Sequence, residues 1–190
     1  MQPRIPRQSA HERDGRRPAH TDDDVRLSDE LAAVVSGARR RALRDGDRQI
    51  DTAHLLHSLL ESDAEVRALF DGEAQLARLM GYLVQRSIGY GLRWQGSVED
   101  SGAVPVVTRG EGLSPLAAGA MEYAHARAAD RGGRALGVDL LAAIVADPQA
   151  RAVEVLGRAG IDAREVLTRV DSRLWRVAPA SGDSRPRRTF

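Results

Sequence analysis

The stretch IDTAHLLHSLLES, residues 50–62, sets His54 and His57 three apart, so a helix would carry both on one face. Zinc ligation would use that spacing, and zinc-dependent hydrolysis would add a glutamate between the two histidines. Here Leu55 and Leu56 stand between them, and the nearest acid afterwards is Glu61. The pair therefore reads as structural, with no metal expected. Composition closes off other chemistries. The chain has no cysteine, and all 28 of its Lys+Arg residues are arginine. Thiolate catalysis, Schiff-base catalysis and phosphate-binding lysine loops each need a side chain that is missing. No Ser-His-acid frame, paired carboxylates or dinucleotide fingerprint stands out, so the expectation is a protein that is not an enzyme and takes no cofactor.

The elements that position these residues are helices. The chain has 190 residues, 42% hydrophobic and only 4% aromatic, a mixture rich in alanine, leucine and arginine that favours helix over strand. A net charge of +1 creates no field for nucleic acid or an acidic membrane. No window approaches ~20 consecutive apolar residues, so no membrane span is expected. The first residues lack the apolar core of a secretory signal, which makes the expected location cytoplasmic. Residues 1–26 and 177–190 read as disordered, polar tails.

The chain repeats itself. LSDELAAVVSGARRRALRDGDRQIDTAHLLHSLL begins at Leu27, and LSPLAAGAMEYAHARAADRGGRALGVDLLAAIVA begins at Leu113, an offset of 86 (113 − 27). Without a gap, Ser28 falls on Ser114, Arg41 on Arg127, Gly46 on Gly132, Arg48 on Arg134 and Leu55 on Leu141. Ser28 and Ser114 are N-cap residues by type, and Gly46 and Gly132 are helix stops. Thr52 is expected to cap the second helix. Third helices are expected over Ala64–Phe70 and Gln149–Ala159, and fourth helices over Glu73–Arg86 and Ala163–Arg176. The organisation expected is thus repeat 1 at 27–89, a linker at 90–112 with an extended piece near Val104–Val107, and repeat 2 at 113–176. Two four-helix units this small are expected to pack as one pseudo-twofold globule, as a monomer.

IDTAHLLHSLLE resembles the I-G-T-E-H-L-L-L-G-L-L stretch of the Clp repeat, the N-terminal domain of Clp-type unfoldases. AVEVLGRAGID at 152–162, and SGAVPVV followed later by LSP, are similar to further parts of ClpC-type N domains. The resemblance spans about residues 27–176. It implies an all-α double N domain without the ATPase modules. Such a domain binds protein substrates, adaptors or peptide-like ligands as a companion to, or decoy for, the Clp protease. Its implied partners include arginine-phosphorylated proteins and cyclic peptides. A DNA-associated or regulatory protein using its arginine-rich tails is the alternative reading of the same chain.

The resemblance also nominates residues. In the family, an acid before the helix-start histidine holds the guanidinium of phosphoarginine, while backbone N–H groups at the helix start face the phosphate. Ala53 stands at that acid's position in the first copy, with Asp51 and Thr52 beside it. The second copy carries Asp139, with Val138 in place of the threonine. Asp139 reads equally as a first-turn helix acid. Leu27 and Leu113 fall where relatives carry a phenylalanine of the cyclic-peptide patch, and read alternatively as core. The Arg39–Arg41 run reads as a solvated helix face.

Overall fold

Ser28 and Ser114 each accept the N–H of the residue three ahead, Leu31 and Ala117, at 3.1 Å, and each starts a long helix. In the computed structural model these are α1 (Asp29–Asp45) and α5 (Pro115–Asp130). The model describes residues 27–87, 98–99 and 112–177. The expected tails, Trp94, the Val104–Val107 piece and the side chain of Trp175 lie outside the described residues. After α1 come α2 (Thr52–Ser62), α3 (Ala64–Arg67) and α4 (Gly72–Ser87); after α5 come α6 (Gly137–Ala146), α7 (Arg151–Arg158) and α8 (Ala163–Val177). The fold is all-α. Among the described residues there is no strand, and no helix is long and apolar enough to cross a membrane.

The stops fall where the glycines are. Gly46 at φ 73° and Gly132 at φ 67° take the left-handed conformation that ends α1 and follows α5. Two expectations need correction. Thr52 is the first residue inside α2, and Asp51 is its N-cap, because the Asp51 carboxylate reaches the His54 N–H at 2.9 Å. The third helix of the first copy is only one turn, Ala64–Arg67, after which the chain turns through the buried Leu69 and Phe70.

α2 and α6 are the centre of the molecule. Residues 52–60 and 137–145 are buried along their whole length, as expected for short helices that are apolar nearly all round. α1 packs on α2 and α5 on α6, while α2 also touches α5, α6 and α7. One continuous core therefore runs from Leu31 and Val34 through Leu55, Leu56 and Leu59 to Leu141, Ile144 and Leu156. Gly137 has to be glycine because a Cβ there would collide with the Asp63 carboxylate at the end of α2. The copies also exchange backbone. The Ser28 N–H donates to the Ala135 carbonyl at 3.1 Å, and the Ser114 N–H donates to the Ile50 carbonyl at 2.8 Å. The segment ahead of each copy's first helix thus lies beside the segment ahead of the other copy's second helix, as parallel bridges Leu27–Ala135 and Ile50–Leu113.

Candidate functional site

The buried charged residues Asp51, Asp139, Arg151 and Glu99 gather at the starts of α2, α6 and α7. Helix starts carry backbone N–H groups with no intrahelical acceptor, so a buried start needs acidic or hydroxyl partners. At α2 the need is met by a reciprocal box: the Asp51 carboxylate accepts the His54 N–H, and His54 Nδ1 accepts the Asp51 N–H at 3.1 Å. The other Asp51 oxygen receives Arg151 Nη1 at 2.8 Å and the Arg86 guanidinium. Burial pushes the Asp51 carboxyl pKa up. The His54 hydrogen bond and the charges of His54 and Arg86, helped by Arg151, outweigh it and hold the group well below the usual carboxylate range.

Beside this box, Glu99 of the connecting segment inserts its carboxylate between the two copies, at 4% exposure. It accepts the Thr52 N–H at 2.9 Å, the Arg151 N–H at 2.7 Å, the Ser114 hydroxyl at 2.7 Å and the Thr52 hydroxyl. Thr52 Oγ1 in turn accepts the Ala152 N–H at 3.1 Å. One carboxylate thus satisfies the first N–H of both α2 and α7, where helix dipoles favour a negative charge. Sequence reading assigned Glu99, Ser114 and Arg151 no part in a shared site, because they stand far apart along the chain.

At α6 the arrangement differs. Leu136 occupies the N-cap position and has no polar side chain, so half of the box is missing. Asp139 supplies the other half, accepting the Leu136 N–H at 3.0 Å. Its two oxygens take the Arg131 guanidinium in a bidentate pair at 2.5 and 2.6 Å, with Arg127 Nε 3.6 Å away. Asp139 is fully buried, and its guanidinium partner comes from its own chain.

The nominated residues are mostly interior. Asp51, Thr52, Val138, Asp139 and Leu27 are buried, and Leu113 is half-buried. Leu27 belongs to the core, which is the alternative the sequence already offered for it. Arg39 and Arg40 are exposed, while Arg41 pairs with Glu61.

The two histidines do not converge. His57 Nε2 faces Glu61 at 3.7 Å, and burial, followed by the nearby Arg41 charge, pushes its pKa down to about 4. His54 Nε2 instead faces Asp47 at 3.2 Å and Asp45 at 3.5 Å, both on the turn that ends α1. The signal for this grouping in the sequence is DGDRQIDTAH, whose acids lie within ten residues of His54.

No protein-family model matches the chain, and no curated protein matches it. Among solved structures, one chain described as belonging to "Preliminary structural investigations of a malarial protein secretion system" matches with a TM-score of 0.56 at 12% identity. The match covers 80% of this chain and 97% of that one. Identity that low carries the arrangement of helices and nothing about chemistry. In fold, then, this chain is similar to a chain studied in a malarial protein secretion system.

Proposed function

We propose that this protein is a non-enzymatic Clp-repeat module that binds protein substrates, adaptors or peptide-like ligands as a companion to, or decoy for, a Clp protease in the cytoplasm. The observation that supports this most is the reciprocal exchange of backbone between the copies. Leu27 lies beside Ala135 and Leu113 beside Ile50, so the segment ahead of each copy's first helix meets the segment ahead of the other copy's second helix. A reciprocal contact of this kind is consistent with two copies packed about a pseudo-twofold axis, and it supports the reading to that extent.

The same reading includes a way for an arginine-phosphorylated ligand to engage. Asp139 already holds a guanidinium, that of Arg131, in a bidentate pair, and the resemblance assigns a ligand guanidinium to the same carboxylate. A ligand guanidinium would bind there by displacing Arg131, whose side chain is 30% exposed. The test is a phosphoarginine titration of the full chain, followed residue by residue by NMR. Perturbations are expected around Asp139 and Arg131. Arg131→Ala should strengthen binding, and Asp139→Asn should weaken it about tenfold. Perturbations confined to the first copy would remove phosphoarginine from the ligand list. Failure of the immobilised protein to retain any Clp ATPase, adaptor or degradation substrate would overturn the binding-module reading itself.

A further inference from the structure

We propose that Asp45, Asp47 and His54 form a zinc-binding site at the turn between α1 and α2. The inference is independent of the function proposed above. Their donor atoms lie within 4.8 Å of one another, and they come from a short turn and the first turn of a buried helix. A tetrahedral ion with bonds of roughly 2.0–2.1 Å separates its donors by about 3.3 Å. The distances from His54 Nε2 to the two carboxylates, 3.2 and 3.5 Å, bracket that value.

The state of His54 makes the second argument. Its ring is 1% exposed, yet Nε2 makes no hydrogen bond although both carboxylates are within 3.5 Å. Neither oxygen therefore stands in line with an Nε2–H. A buried ring nitrogen without a partner is costly, and an ion on its lone pair, with the carboxylates flanking it, removes that cost. On the far side of the ring, Nδ1 is 2.8 Å from Asp51 Oδ1. Without an ion, Nδ1 accepts the Asp51 N–H and the ring proton is on Nε2. Metal on Nε2 moves that proton to Nδ1, which exchanges the Asp51 N–H contact for donation to the Asp51 carboxylate. This is the carboxylate–histidine–metal arrangement that orients a ligating imidazole.

Imidazole and carboxylate donors, the imidazole at tetrahedral distance from each carboxylate, suit zinc, with a fourth position left for water beside the half-exposed Asp47. The Arg86 guanidinium lies 3.2 Å from the same Asp47 oxygen and competes with the ion, keeping Asp51 when Asp47 turns to the metal. The second copy has no such site. At the offset of 86, Arg131, Gly133 and Leu140 replace Asp45, Asp47 and His54.

Zinc and cobalt(II) titrations of the full chain test this, by calorimetry and by the visible absorption of cobalt. One ion per chain is expected, with the intense bands of tetrahedral cobalt. Asp47→Asn, at the rim of the fold, should lower affinity by roughly tenfold or more, and His54→Gln by at least as much. His57→Gln should leave affinity unchanged. Because His54→Gln also removes half of the α2 cap, the Asp47 variant carries the test and its melting curve confirms that it is folded. No zinc binding, or binding that survives Asp47→Asn, or weak octahedral cobalt bands, would overturn the proposal.

Discussion

The starts of α2 and α6 solve one physical problem with opposite charge arrangements. Both helices begin inside the protein, and both need an acid for their free N–H groups. In the first copy the acid is Asp51 at the N-cap, and the acid at the end of α1, Asp45, faces the basic ring of His54. In the second copy the acid moves three residues into the helix, to Asp139, and the α5 end supplies the base, Arg131. Asp45 and Arg131 are equivalent at the offset of 86, as are Ala53 and Asp139. The comparison shows that a buried helix start constrains the charge sum of a cluster more tightly than the identity of any one position.

Breaking the first cluster should have the largest effect. Asp51→Ala takes a buried carboxylate from Arg86 and Arg151, whose side chains are 9% and 10% exposed, and removes the α2 cap. A loss of about 3–5 kcal/mol is expected in urea unfolding. Asp139→Ala should cost less, about 2 kcal/mol, because Arg131 is exposed enough to be rehydrated. Equal losses would mean that the two clusters are not distinguished by burial.

Acid should separate the copies next. His57 has a folded pKa of about 4 against an unfolded value of 6.5, so between those values the unfolded chain binds the extra proton. The stabilisation from neutral His57 is present in full above pH 6.5 and is lost as pH falls towards 4, on the order of 3 kcal/mol. The equivalent residue, Ala143, does not titrate. His57→Gln should flatten the dependence of melting temperature on pH in this window, and an unchanged slope would assign it elsewhere.

Glu99 joins the two copies, so its removal sharpens the comparison. Glu99→Ala leaves two N–H groups and two hydroxyls without their acceptor, and a loss of about 2 kcal/mol is expected, since water enters part of the space. The smallest effect belongs to the caps. Ser28→Ala should cost about 1 kcal/mol, and Ser114→Ala somewhat more, because Ser114 also donates to Glu99. In a double-mutant cycle with Glu99→Ala, only Ser114 should show coupling.

Much of the helical framework was legible because it is written locally. Ser28, Ser114, Gly46 and Gly132 act on their own backbone neighbours, so their roles follow from residue type and position. The fourth helices, expected at Glu73–Arg86 and Ala163–Arg176, are observed as Gly72–Ser87 and Ala163–Val177. The cap of α2 was misread because Asp51 and Thr52 are both good caps by type. The choice fell to Thr52's hydroxyl having a better use, spanning Glu99 and Ala152 across the copy boundary.

By itself, then, the sequence determined the all-α class of the fold and the exclusion of lysine and cysteine chemistry, since each depends on composition or on contacts a few residues apart. Which polar groups meet was decided only by the tertiary structure. Asp51 and Arg151 are 100 residues apart, and Thr52 and Glu99 are 47 apart. Such pairs depend on how two helix starts are brought side by side, and no local periodicity encodes that. The same holds for His54: its neighbours in sequence are leucines, while its neighbours in space are carboxylates on the turn before it.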